Sequence, residues 1–194
     1  MPDQISGLFS PFLRRRRLAA SAAWLGSGPV LDVGCGTGAL AHLVHPENYV
    51  GIDTDEDSLI EARRSHPEHR FEDAAAFLAR PRDRAFDTVI ALAVIEHVPE
   101  PAAWLGRLAP LLAEDGRVVL TTPHPLFRRV HECGAMLGLF SREAMHEHET
   151  LLNFRQLRDT ADKAGLEIVH YRRFLCGANQ LFILRRRRTG VRAT

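Results

Sequence analysis

The stretch Val30-Leu31-Asp32-Val33-Gly34-Cys35-Gly36-Thr37-Gly38 limits what this chain can become more than any other. Val30 to Val33 is short and largely apolar, the pattern of a buried strand. Gly34, Gly36 and Gly38 come next at alternate positions. They cannot continue the strand and instead make a tight turn where backbone can approach a ligand closely. Ala39 to Val44 reads as the opening of a helix. A strand, a glycine turn and a helix together form a cradle for a nucleotide or cofactor.

The rest of the chain supplies partners for that cradle. Tyr49 to Asp53 predicts a second strand ending in a carboxylate, close to the roughly 20-residue spacing at which an acid reaches a ribose hydroxyl. A helix opens near Asp57. Phe71 to Asp73 predicts a third strand, again ending in acid, and Ala74 to Ala79 a short helix before Pro81. Phe86 to Leu92 is a fourth strand, Val94 to Val98 a turn, and Pro101 the start of a helix carrying Trp104, Leu105, Leu108 and Leu112. Gly116 ends that helix, Arg117 to Thr122 forms a fifth strand, and Pro123-His124-Pro125 breaks it. Asn153 caps a helix through Leu157, Ala161 and Ala164, and two strands close the chain near Glu167–Phe174 and Gln180–Arg185.

Strands alternating with helices predict a doubly wound α/β sheet with a mostly parallel core. In such sheets ligands bind beyond the carboxyl ends of the strands. Asp32, Gly34, Asp53, Asp73 and Ala91 all fall at those ends.

Size and composition exclude other classes. At 194 residues the chain is long enough for one domain with its own core. A net charge of +1 gives no global field toward nucleic acid or acidic membranes. Three cysteines without a CxxC argue for a reducing, cytoplasmic setting. Leu18 to Leu25 is too short a run after Arg14–Arg17 for a signal peptide, and no apolar run of about 18 residues predicts a membrane span. The runs Arg14–Arg17 and Arg185–Arg188 lack the aromatic stripe of a single-strand nucleic-acid platform and read as solvated ends.

At the N-terminus, Ser10 and Pro11 open a helix ending at Gly26. It reads as a solvated flank or as an arm over the cofactor, with Arg14 meeting an anionic group of the substrate. Residues 1–28 are assigned to this flank or lid, 29–186 to the main domain with a substrate-side insertion at 126–150, and 187–194 to a disordered tail.

Gly34, Gly36 and Ala39 satisfy the dinucleotide pattern GxGxxG/A. Asp32 argues against it, because a carboxylate inside the crevice repels a pyrophosphate and suits a cation. Gly38 further allows close approach of an amino-acid-like group. Val30–Gly38 resembles motif I of the class I S-adenosylmethionine-dependent methyltransferases. Phe86–Pro101, FDTVIALAVIEHVPEP, resembles the segment after motif IV in the subgroup of ubiquinone-type and natural-product methyltransferases. Leu111–Thr122 and Asn153–Val169 are similar to that subgroup's fifth strand and final helix-strand pair.

This resemblance implies a Rossmann-like seven-stranded sheet, mostly parallel with an antiparallel last strand, and helices on both faces. It implies S-adenosylmethionine as cofactor. Asp32 with the Gly34-Cys35-Gly36 backbone would meet the methionine end, aided by Gly38. Asp53, with Thr54 beside it, would accept the ribose hydroxyls, and Asp73 the adenine amine, with the Ala74 backbone alongside. Asp73 also reads as a helix N-cap, and both roles are compatible. Ala91 would line the methionine side.

The implied reaction is in-line methyl transfer to oxygen, nitrogen or carbon of a small molecule. A base is required only where the nucleophile must lose a proton. His97 and His124 are the candidates. His97 alternatively holds the Glu96 loop, and His124 alternatively contacts substrate. Glu96 and His148 join Arg14 as candidate acceptor contacts. His131, Cys133, His146 and His148 lack a recognised ligand spacing, so no metal is expected. An RNA or protein methyltransferase, or an inactive cofactor-binding regulatory module, are the competing functions. The short chain leaves few pocket walls. The acceptor is therefore small, or partly exposed, or enclosed by a second subunit of a homodimer.

Overall fold

The structure, a computed structural model, describes residues 10–80, 85–125 and 151–187. Seven strands make one sheet: β1 (Val30–Val33), β2 (Tyr49–Asp53), β3 (Arg70–Asp73), β4 (Phe86–Leu92), β5 (Leu112–Pro123), β6 (Leu166–Phe174) and β7 (Asn179–Arg186). Their order is β3-β2-β1-β4-β5-β7-β6. The pairs among β1 to β5 are parallel, and β7 is antiparallel to both neighbours. The strand order reverses between β1 and β4, which places a switch-point crevice beside the glycine turn.

Side chains alternate along each strand and feed two separate cores. Leu31, Val33, Val50, Ile52, Val89 and Ala91 pack on one face with Phe77 of α3 (Ala74–Ala79), Leu105 and Leu108 of α4 (Pro101–Leu108) and Leu157 of α5 (Phe154–Lys163). Val30, Tyr49, Ile90, Val119 and Ile183 pack on the other with Leu59 and Ala62 of α2 (Glu56–Ser65). Leu18 of α1 (Ser10–Ala22), with Trp24 and Leu25, borders that second core. Helices therefore cover both faces, as expected. α5 begins in a capping box: Asn153 Oδ1 accepts from the Gln156 amide, and Gln156 Oε1 accepts from the Asn153 amide, each at 3.0 Å.

Three local expectations are corrected. Ala39–Val44 does not open an α-helix; turns lead into a single 3-10 turn at Ala41–Leu43. The amides of Gly38, Ala41, Leu43 and Val44 each bond the carbonyl three residues back. Pro46 then disfavours a helical conformation at His45.

At the N-terminus α1 stops at Ala22 rather than Gly26. Ser21 Oγ takes up the carbonyls of Arg17 and Leu18, and Trp24 leaves the helix to lie 4.9 Å from the His170 ring. Finally, α4 ends at Leu108, because Pro110 lacks the amide needed to continue. Leu112 instead enters β5 opposite Phe86, so the fifth strand starts five residues before Arg117.

Arg187, placed in the tail by sequence, donates its amide to Gly165 O at 3.0 Å and its guanidinium to Asp162. The insertion at 126–150, with His131, Cys133, His146 and His148, lies outside the described residues, as do 188–194.

Candidate functional site

The glycine turn is pinned to the end of β2. The amides of Gly34 and Cys35 both donate to Ile52 O, at 2.8 and 3.2 Å. Gly34 and Gly36 have φ of +71° and +52°, the left-handed region. They are glycine for different reasons. A Cβ on Gly34 would sit 2.4 Å from Val94 Cγ2, whereas one on Gly36 would meet nothing within 4 Å. Gly34 is thus required by a neighbour, while Gly36 presents bare backbone to open space.

Acids collect around that space. Asp53 Oδ2 accepts from the Gly36 amide at 2.7 Å, and Oδ1 accepts from the Thr54 and Asp55 amides at 2.7 and 3.1 Å. These bonds use about three of the roughly four lone-pair sites on the carboxylate. Asp73 stands opposite Asp53 in the β2–β3 register. Its Oδ1 accepts from the Ala76 amide at 2.8 Å, so it does cap α3, immediately before Ala74.

Asp32 is buried and accepts from Tyr49 Oη at 2.8 Å. Burial raises its carboxyl to about 7; the Tyr49 hydroxyl opposes that rise and the Asp53 charge adds to it. Burial also pushes up the neighbouring Cys35 thiol and the Tyr49 phenol. Sequence alone marks Tyr49 only as part of a strand. The signal that could have found it is a hydroxyl at the start of β2 beside an acid in β1: Val30 pairs with Tyr49 and Asp32 with Gly51.

Beyond β4 the chain turns through Ala93, whose φ of +61° is strained for a residue with a side chain. Its amide donates to Thr121 O at 2.8 Å. Ala91 is buried just before it. Glu96 is 2% exposed, and its Oε2 has no hydrogen-bond partner among the described residues. Burial raises its carboxyl; its own backbone amide, Arg17, Thr122 and His97 counter that rise. Arg17 reaches over from α1 and donates Nε to Asn179 Oδ1 at 3.1 Å. Sequence singles out neither Arg17 nor Asn179, because they are far apart in the chain.

His97 is exposed, and its amide donates to Val94 O at 2.9 Å. His124 is half-buried at the end of β5, with its amide on Ala178 O at 2.8 Å. Burial and the Arg173 charge hold its imidazole below the usual value. Arg14 is exposed on α1. Among the described residues no group of three or more His, Cys, Asp or Glu side chains could hold a metal ion. No described helix is long and apolar enough to cross a membrane.

One edge of the sheet therefore holds two neighbourhoods. Asp32, Gly34, Cys35, Gly36, Asp53, Thr54, Asp73 and Ala74 gather at the ends of β1 to β3, and Ala91, Glu96, His97 and His124 lie at or beyond the ends of β4 and β5. Acids around an open glycine backbone fit a ligand that carries a cationic centre and hydroxyl groups.

The chain is similar to known proteins. A family model described as a methyltransferase domain matches residues 8–171. Trans-aconitate 2-methyltransferase of Sinorhizobium medicae is 34% identical over 122 residues, which is 60% of this chain and 46% of that protein. Ubiquinone biosynthesis O-methyltransferase of Idiomarina loihiensis is 31% identical over 157 residues, 71% of this chain and 61% of that protein. The chain thus spans about half to three-fifths of the length of these relatives. Magnesium protoporphyrin IX methyltransferase of Synechocystis, solved with bound SAH, shares the fold at a TM-score of 0.71 and 21% identity, covering 96% of this chain and 90% of that one.

Proposed function

The chain belongs to the methyltransferase-domain family, and from that premise we propose that it moves a methyl group from S-adenosylmethionine to a small-molecule acceptor. The observation that carries this reading is Asp53. Its carboxylate joins the end of β2 to the Gly36 amide, beside open space and directly across from Asp73. S-adenosylmethionine supplies an activated methyl group on a sulfonium, whose departure leaves a neutral thioether.

Its parts match the residues gathered here. Asp53 would accept the ribose hydroxyls of the cofactor. Thr54 lies next to Asp53 on the same rim. Asp73 keeps Oδ1 on the α3 amide and turns its other oxygen to the adenine amine, with Ala74 alongside. Gly34, Cys35, Gly36 and Gly38 give backbone to the methionine end, and Ala91 lines it. Asp32 holds the ammonium group when ionised.

The acceptor side is formed by the turns after β4 and β5. His124 has a lowered imidazole value, so its ring is neutral near pH 7 and can take a proton from a hydroxyl nucleophile at a ring nitrogen. His97 is the second candidate for that role. Glu96 and Arg14 add acceptor contacts. Most of the rate comes from alignment of nucleophile and methyl group. One relative is named for trans-aconitate and the other for ubiquinone biosynthesis, which supports a small-molecule acceptor here.

Calorimetry with S-adenosylhomocysteine tests the reading. We expect one site in the wild-type chain and a loss of about a hundredfold in affinity for Asp53→Ala, the effect of two charge-assisted hydrogen bonds. No binding to the wild type, or equal binding to both proteins, would overturn it.

A further inference from the structure

Helix α1 and the end of β6 bring three arginines to one place, and none of the three has a carboxylate partner among the described residues. A cavity of about 300 Å³ lies between α1 and the end of β6, lined by Arg16, Ala19, Ala20, Arg172, Arg173 and Phe174. Three of its six lining residues are arginines, in a chain whose net charge is only +1. Arg16 and Arg173 have no ion-pair partner among the described residues. Arg172 rests Nη2 on Ala20 O at 3.5 Å, a weak contact with no carboxylate in it. Cations held together around a cavity repel each other, and an anion between them removes that cost.

The remaining walls are apolar. They are Ala19 and Ala20 of α1 and Phe174 at the end of β6. A free inorganic anion gains nothing from these walls, whereas an organic acid buries its hydrocarbon part there. The cavity volume is at the lower end for small-molecule sites and too small for a folded polymer.

Position ties the cavity to the acceptor side. Phe174 pairs with Asn179 and Arg173 with Gln180 across β6 and β7. Asn179 pairs with Pro123, the residue before His124, and also holds Arg17, the residue after Arg16. The charge of Arg173 is felt at the His124 ring. The guanidinium cavity therefore borders the same sheet edge as Glu96 and His124.

We propose that the Arg16–Arg172–Arg173 cavity binds the carboxylate of an organic acid, and that this group is part of the methyl acceptor. The second clause rests on the methyltransferase reading; the binding site itself does not. Guanidinium forks recognise such groups through paired charge-assisted hydrogen bonds.

Benzoate, its neutral isostere benzamide and inorganic phosphate serve as probes in calorimetry on the full chain. Benzoate is expected to bind at millimolar strength and benzamide not to bind. Arg16→Gln and Arg173→Gln are each expected to weaken benzoate about tenfold, the effect of one charge-assisted contact. Arg158→Gln, at an exposed position of α5, is expected to leave benzoate unchanged. S-adenosylhomocysteine affinity is expected to be the same in all of these variants, which separates this site from the cofactor site. Equal binding of benzoate and benzamide, or unchanged benzoate binding in both pocket variants, would overturn the proposal. Phosphate binding without benzoate binding would overturn it too, because the site would then take a free inorganic ion. Loss of S-adenosylhomocysteine binding in the wild type, with benzoate recognition intact, would remove the acceptor clause and leave the anion site.

Discussion

Tyr49 donates its hydroxyl to Asp32 at 2.8 Å inside the sheet, where the carboxyl is almost sealed from water. The folded carboxyl at about 7 lies above its ordinary 3.8, so the native state binds the proton more tightly than the unfolded chain. Stability from this group is complete below about pH 4 and is lost as pH rises toward 7. The shift corresponds to about 4 kcal/mol at most.

Tyr49→Phe removes a donor that supports the ionised form. The Asp32 carboxyl is then expected to move above 7, and urea midpoints to go on falling past pH 7, where those of the wild type level off. Asp32→Asn is expected to flatten the dependence between about pH 4 and 7. Parallel midpoint-versus-pH curves for the three proteins would contradict this account.

Gly34 and Gly36 separate packing from binding. Gly34→Ala meets Val94 at 2.4 Å in a left-handed conformation, and is expected to cost roughly 2–4 kcal/mol of stability. Gly36→Ala has room, and is expected to cost only about 1 kcal/mol while weakening S-adenosylhomocysteine by at least about tenfold. Denaturant titration and calorimetry on the two variants check the contrast; equal stability losses would defeat it.

Ala93 carries its strain just after β4, beside the crevice. Ala93→Gly is expected to be neutral or stabilising by up to about 1 kcal/mol, because relief of the left-handed penalty competes with added unfolded-chain entropy. Ala93→Val, branched at Cβ, is expected to destabilise by roughly 2 kcal/mol and to reduce methyl transfer. Thermal unfolding of the pair tests this, and equal melting temperatures would show that the position is not strained.

Much of the frame is legible in residue order alone. β1, β2, β4 and α3 have the expected boundaries, since short apolar strands punctuated by glycine and acid are local signals. The tight turns after the glycines are not legible in this way. The apolar residues there suit a helix, but positive φ at Gly36 and Gly38 and the proline at 46 leave space only for turns. Similarly, the Asn153 cap is visible as a residue type at a helix start, whereas the early end of α1 depends on Trp24 finding His170.

The candidate site divides in the same way. Residue order by itself determined the glycine turn, the acids that end β2 and β3, and the strand alternation that sends them to one edge, because each depends on neighbours within a few positions. Tertiary structure decided that Asp32 is paired with Tyr49, that Asp53 already holds the Gly36 amide, that Glu96 is buried with an oxygen unpartnered among the described residues, and that Arg16 shares a cavity with Arg172 and Arg173. Those outcomes depend on contacts between distant parts of the chain, such as Arg17 with Asn179 across 162 positions. Burial and proximity of that kind set charge state and hydrogen bonding, and they exist only once the sheet has brought its strands together.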